Sequence, residues 1–237
     1  MFIEKKNNTR RLVISDIHGC LKTFAALIEM VNPGKSDQLF FLGDYIDKGP
    51  SSDGVIDYLL KMISDGYILL LLKGNHEENL LSAYMEYDKE TFVFFVRKIN
   101  KNLTLLDVEG RIKAEYMEFF RSLNYYFETD SHLIVHAGFN FNSDNPFEDR
   151  VSMVELRNTE IDKAGKFIRG KTIVHGHQVT SLEDIFSAIS ERKQIIPLDN
   201  GCFYTKPHKI YDITRTGNLC CLDIDSYELI LQKNIDG

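Results

Sequence analysis

The sequence predicts an α/β fold, a parallel sheet with helices on its faces. Three observations carry that reading. Strand-length apolar runs alternate with helix-spaced segments from Leu12 to Glu77. Four of five short polar motifs follow directly on an apolar run, and in open parallel sheets ligands gather beyond the carboxyl ends of strands. The chain has 237 residues, 43% of them hydrophobic. That is the size of one large open α/β domain spanning 1–237, with enough core to dispense with disulfides or a structural metal.

Taken in order, Leu12-Val13-Ile14 reads as a buried strand ending at Ser15-Asp16. Leu21 to Val31 has helical spacing and stops at Asn32-Pro33-Gly34. Leu39 to Leu42 is a second buried strand, and Ser51 to Ser64 a helix opened by Ser51 or Ser52. Ile68 to Leu72 is a third strand, with a helix starting at His76 or Glu77. Asp88 to Leu123 then reads as a helical, cap-like segment rich in Phe, Leu and charge. Strand character returns at Tyr125 to Phe127, Leu133 to Val135, Thr172 to Val174, Gln194 to Ile196, Leu219 to Leu222 and Glu228 to Gln232. These later runs lack long intervening helices, so a second, more antiparallel sheet is expected.

Net charge is −7, so no global basic field invites nucleic acid. Cys20, Cys202, Cys220 and Cys221 fit neither a zinc ribbon nor a disulfide framework and read as reduced thiols within or beside apolar segments. Met1 to Arg10 lacks the apolar core of a signal peptide. The longest apolar run, Ile68 to Leu72, falls far short of the roughly 20 residues that span a bilayer. A cytoplasmic protein without a membrane partner is the expectation.

The motifs are Asp16-Ile17-His18-Gly19, Gly43-Asp44-Tyr45-Ile46-Asp47-Lys48-Gly49, Gly74-Asn75-His76-Glu77, His136-Ala137-Gly138 and Gly176-His177. Together they offer two carboxylates, one amide and three imidazoles of the kind that bind divalent metals, with a spare His-Asp pair. Any one of them has an ordinary explanation. Gly-Asp stretches make turns, and Gly74 to Glu77 can cap a helix. Caps and turns do not explain why all of them follow apolar strands in one order. Carboxylate oxygens with neutral imidazoles suit manganese, iron or zinc better than calcium. Two divalent ions balanced by two aspartates and a bridging hydroxide leave a positive site for a phosphate. Metal coordination lowers the pKa of water from 15.7 to roughly 7–9. The motif set therefore points to a two-metal phosphoester hydrolase.

These residues resemble the calcineurin-like metallophosphoesterases, in particular the phosphoprotein phosphatase family and its bacterial and phage members. The resemblance implies a two-sheet β-sandwich flanked by helices, in α/β/β/α layers. It implies that Asp16, His18 and Asp44 hold one ion, and that Asp44, Asn75, His136 and His177 hold the other, with Asp44 bridging. It implies in-line attack by a metal-bridging hydroxide, with His76 as general acid oriented by Asp47. Two departures stand out. Ser15 replaces the glycine usual before the first Asp, and Lys48 replaces an arginine. A lysine offers phosphate a point charge where arginine offers a two-pronged fork.

Phosphate contacts are expected from Lys48, Asn75 and Arg157, the last because bacterial and phage relatives place a phosphate-binding Arg in that interval. Asp199 either orients a metal-ligating histidine from behind or is a turn residue. His175 is expected to be structural, and His132 and His208 to be ordinary surface or packing residues. The substrate expected first is a serine/threonine phosphoprotein, with symmetrical dinucleoside tetraphosphates or small phosphoesters as alternatives. One rival class exists. Gly165 to Thr172 matches the phosphate-binding loop of nucleotide hydrolases, but that loop must follow a strand and open a helix, and here a strand is expected after it.

Overall fold

A computed structural model describes residues 1–100, 102–160, 162, 164–205 and 215–237. In chain order its main elements are β1 (Arg11–Ile14), α1 (Leu21–Val31), β2 (Gln38–Phe41), α2 (Ser52–Ser64), β3 (Ile68–Leu71), α3 (Asn75–Glu86), α4 (Lys89–Phe95), α5 (Ala114–Ser122), β4 (Tyr126–Glu128) and β5 (His132–Val135). They continue with α6 (Arg150–Glu155), α7 (Gly165–Ile168), β6 (Thr172–His175), α8 (Leu182–Ser190), β7 (Ile195–Pro197), β8 (Asn218–Asp223) and β9 (Leu229–Lys233).

Two mixed sheets form, in the orders β3-β2-β1-β8-β9 and β4-β5-β6-β7. The first three strands of the chain are parallel to one another, as the alternation predicts. Side-chain alternation then sorts residues into layers. On β1, Leu12 and Ile14 face the core shared with α1, α2 and α3, while Val13 faces the other sheet. The inter-sheet core joins Val13, Phe40 and Leu222 to Phe127, Ile134, Val174 and Ile196. A third core, around Leu133, Val135, Phe139, Met153 and Ile168, covers the outer face of the second sheet. Helix, sheet, sheet and helix are thus stacked in the expected layers.

The helices follow their apolar stripes. On α1, Phe24, Leu27, Ile28 and Val31 are buried at helical spacing, and the helix stops at Asn32 in the left-handed region (φ 43). Its amino end lacks a local side-chain cap. Instead Asp236 accepts from the Lys22 and Thr23 amides at 3.0 and 2.9 Å, an anion on the positive end of the helix.

One expectation needs correction. The second sheet is mostly parallel, since only β4–β5 is antiparallel. The antiparallel strands β8 and β9 extend the first sheet instead. The reason is α8, with α6 and α7, which supply the crossovers that the sequence reading did not find. The segment 88–123 is helical in pieces. It breaks into α4, a π turn at Val96–Asn100, a 3-10 turn at Leu103–Leu105, a Leu106–Ile112 bridge and α5. As expected, α7 precedes Gly170-Lys171 and the strand β6 follows it, the reverse of a nucleotide-binding loop. Lys171 Nζ is bound to the Glu128 carboxylate at 2.6 Å and the Thr129 carbonyl at 2.5 Å. No helix among the described residues is long and apolar enough to cross a membrane. All four cysteines are buried and free. His208 lies outside the described residues.

Candidate metal centre

The loops after β1, β2, β3, β5 and β6 meet at one edge of the sheets. Main-chain bonds join the first two. The Ile17 and His18 amides donate to Asp44 O at 3.2 and 2.8 Å, and the Gly49 amide donates to His18 O at 2.8 Å. Glu77 anchors the second to the third. This fully buried carboxylate accepts from the amides of Asp44, Tyr45, Ile46 and Gly74 at 2.8–3.3 Å. Burial first, and then the charge of Asp44, pushes its pKa up to about 7. The tight approach of β3 depends on Gly74, since a Cβ there would run into the Asp44 carboxylate. At Gly176 a Cβ would meet Asp16 in the same way.

The backbone here is held in a costly shape. Ten non-glycine residues among those described have positive φ, and five of them are His18, Asp44, Asp47, Lys48 and His177. Each left-handed residue costs on the order of 1–3 kcal/mol, and such strain concentrates at functional sites.

Asp44 is central. Its Oδ2 lies 3.4 Å from His18 Nε2, and its Oδ1 lies 3.6 Å from His136 Nε2. Two donor groups therefore share it, His18–Asp44–His76 and Asp44–His136–His177, with the ligand atoms of each group within 4.8 Å of one another. His18 Nδ1 lies 3.0 Å from Ile46 O and His136 Nδ1 lies 2.8 Å from Leu42 O. A carbonyl only accepts, so Nδ1 carries the proton and each Nε2 turns a lone pair to the centre. Burial lowers the pKa of His18, with Lys48 adding to it, and burial also lowers that of His136. His177 is brought down to about 4 by burial and by His136. All three are neutral at pH 7, as ligation requires. For Asp44, burial opposes ionisation, but His136, His18 and His76 outweigh it and its pKa is lowered. For Asp16, burial and the charges of Asp199 and Asp44 raise it.

The donor set fits divalent cations. Asp16 Oδ2 accepts from the His177 amide at 2.9 Å, while Asp16 Oδ1 and His177 Nε2 are buried with no hydrogen-bond partner. Asn75 Oδ1 sits 3.2 Å from both His136 Nε2 and His177 Nδ1. Protein atoms alone satisfy this cluster only if the amide is turned over, its NH2 then 3.2–3.3 Å from Asp44. With Oδ1 facing inward, the converging lone pairs make a cation site.

Beside the cluster, His76 Nδ1 is 2.5 Å from Asp47 Oδ2. Burial disfavours the His76 cation, yet the Asp47 bond and the Asp44 charge outweigh it and raise the pKa. Lys48 Nζ lies 2.9 Å from His18 Nε2 and over the Phe203 ring at 4.2 Å, so its charge points into the centre. Arg157 is exposed on a loop, lining a cavity of about 230 Å3 with Thr159, His175 and Gln178, and its charge bears on His177. Asp199 Oδ1 accepts from the Gly201 amide at 2.7 Å, the turn role, while its charge acts on Asp16. The imidazoles of His18 and His136 are oriented by main-chain carbonyls instead. His175 joins the wall of the Arg157 cavity, and His132 is packed between Ser131 and Tyr227.

Three residues escaped the sequence reading as parts of the site. Glu77 had a legible signal, since an acid three residues past a helix cap closes a capping box. Asn102 donates from Nδ2 to Asp47 Oδ1, and Phe203 packs edge-on against His18 at 5.0 Å. Neither carried a motif.

Comparison with known proteins agrees with this architecture. The family model for calcineurin-like phosphoesterase matches residues 9–201. A symmetrical bis(5'-nucleosyl)-tetraphosphatase of Cellvibrio japonicus (strain Ueda107) is 31% identical over 129 residues, covering 53% of this chain and 43% of that protein. The curated relatives that lead the comparison are matched over 28%, 35% and 43% of their own lengths, less than half in each case. A crystal structure of a candidate diadenosine tetraphosphatase superposes with a TM-score of 0.65 at 20% identity, covering 100% of this chain and 99% of the other. A serine/threonine phosphatase from Saccharomyces cerevisiae gives 0.57 at 16% identity, covering 98% and 82%. At those identities the likeness is one of fold. The family model spans most of the chain and every motif described above, and this chain belongs to the calcineurin-like phosphoesterase family.

Proposed function

We propose that this protein is a phosphoester hydrolase working with two divalent ions, most naturally Mn2+, with iron or zinc as alternatives. The supporting observation is the position of Asp44, whose two oxygens face different imidazoles at 3.4 and 3.6 Å. Asp16, His18 and Asp44 would hold one ion, and Asp44, Asn75, His136 and His177 the other. When bound, the ions supply positive charge for the phosphate and acidify a water near neutral pH. The chain's own residues do the rest. His76 carries a proton at Nε2 toward the leaving oxygen, and Asp47 fixes the ring from Nδ1. With positive ions beside His18, Lys48 is repelled from the imidazole and its ammonium is free to meet a phosphate oxygen. Arg157 is kept as a second phosphate contact from the His177 side. The whole of 1–237 is taken to work as one domain, with 88–123 over the site.

The motifs alone put phosphoproteins first. The matched relatives move the proposal to dinucleoside tetraphosphates, split symmetrically, because the curated relatives carry that activity in their names. The test offers Mn2+-loaded protein diadenosine tetraphosphate and phosphoserine peptides side by side. Faster hydrolysis of the dinucleotide, yielding ADP alone, supports the proposal. Faster dephosphorylation of the peptides restores the protein-phosphatase reading.

A further inference from the structure

We propose that the cleft between α3 and α4 is the leaving-group subsite of this centre and takes a planar, donor-bearing aromatic group of the nucleobase class. The proposal rests on the phosphoester-hydrolase reading above. A cavity of about 350 Å3 starts at His76 and Asp47 and follows one face of α3. Because Asp47 holds Nδ1 of His76, only Nε2 is free to hand over a proton, and whatever leaves must occupy the space next to it. Asn79, Ser82 and Glu86 line that space at helical spacing. From His76 to Glu86 the helix rises about 15 Å. A serine or threonine side chain would fill only its first turn.

The distant end of the cleft has a chemistry of its own. Tyr87 and Phe95 meet there as an edge-to-face pair, ring centroids 5.9 Å apart at 68°, so a planar group lies beside the pair and stacks on a ring face turned to the cleft. Tyr87 is 44% exposed, so its ring is presented to the cleft and not consumed by the core. Among the described residues, the charged group lining that end is Glu86, which repels a phosphate and accepts from an exocyclic amine or ring N–H. Phosphates therefore belong at the metal end and a donor-bearing ring at the aromatic end. Phe95 comes from α4, which gives the 88–123 segment a role in specificity.

The test is calorimetric binding of AMP, ribose 5-phosphate and phenyl phosphate to the Mn2+-loaded protein. Base stacking is worth about tenfold or more in affinity, so AMP should bind about tenfold more tightly than ribose 5-phosphate. In Tyr87→Ala and in the milder Phe95→Leu, that ratio should fall toward one. Equal binding of AMP and ribose 5-phosphate by the wild type overturns the subsite, and so does phenyl phosphate binding as tightly as AMP. The outcomes separate the two proposals. An AMP preference without hydrolysis of diadenosine tetraphosphate keeps the subsite and removes that substrate, while hydrolysis without an AMP preference does the opposite.

Discussion

His76 and Glu77 are neighbours with unlike duties. His76 faces the cleft, and His76→Asn should keep the metal content while slowing hydrolysis of an unactivated phosphomonoester by about 10²–10⁴. Steady-state rates with metal analysis check this, and turnover at the wild-type rate would remove the acid role. Glu77 faces inward and satisfies four amides, so Glu77→Ala leaves buried N–H groups unpaired. A loss of about 3 kcal/mol or more in urea unfolding is expected. His132 offers a pH test away from the centre. Burial holds its folded pKa near 4 against an ordinary 6.5. A depressed histidine costs nothing above pH 6.5, and stability falls as pH drops from 6.5 toward 4, because only the unfolded chain takes the proton. The full span is about 3 kcal/mol. His132→Gln should flatten that part of the acid limb in unfolding midpoints measured from pH 7 to 4. At this scale the sequence was informative where chemistry is local. Asp16, His18, Asp44 and His76 sit in strings whose neighbours betray them. Asn102 is joined to Asp47 only by the folded chain, and its surrounding residues say nothing of it.

Among the elements, 88–123 was least legible. Its Phe and Leu spacing supports a helix locally, yet Phe92, Leu105, Tyr116 and Phe119 are each recruited by the core around α2 and α3, and one straight helix cannot reach all of them. The broken path brings Asn102 onto Asp47. Asn102→Ala should slow hydrolysis of unactivated esters about tenfold by loosening the ring behind His76, as expected for a lost hydrogen bond to a charged group. The rate with p-nitrophenyl phosphate, whose leaving group needs little protonation, should change much less. Equal losses on both substrates would show that the residue is only structural. The second sheet was misjudged for a related reason. Parallel pairing of β5, β6 and β7 needs crossovers; α6 and α7 are too short to leave a clear helical period, whereas α8 buries Ile185, Ala188 and Ile189 at helical spacing and was overlooked.

At the level of the whole molecule, the layers were legible because buried strands are apolar on both faces and helices show stripes. The convergence of the motif loops at one edge was legible as well, from their places after the strands; what lay beyond the sequence was the geometry around Asp44, whose oxygens lie 3.4 and 3.6 Å from two imidazoles. That geometry makes a two-ion centre the central claim. Calorimetric titration of metal-stripped protein with Mn2+ tests it most directly. Two ions per chain should bind to the wild type, and Asp44→Asn should weaken both sites together because Asp44 is shared. A stoichiometry of one, or an Asp44→Asn variant that still binds two ions as tightly as the wild type, would contradict it.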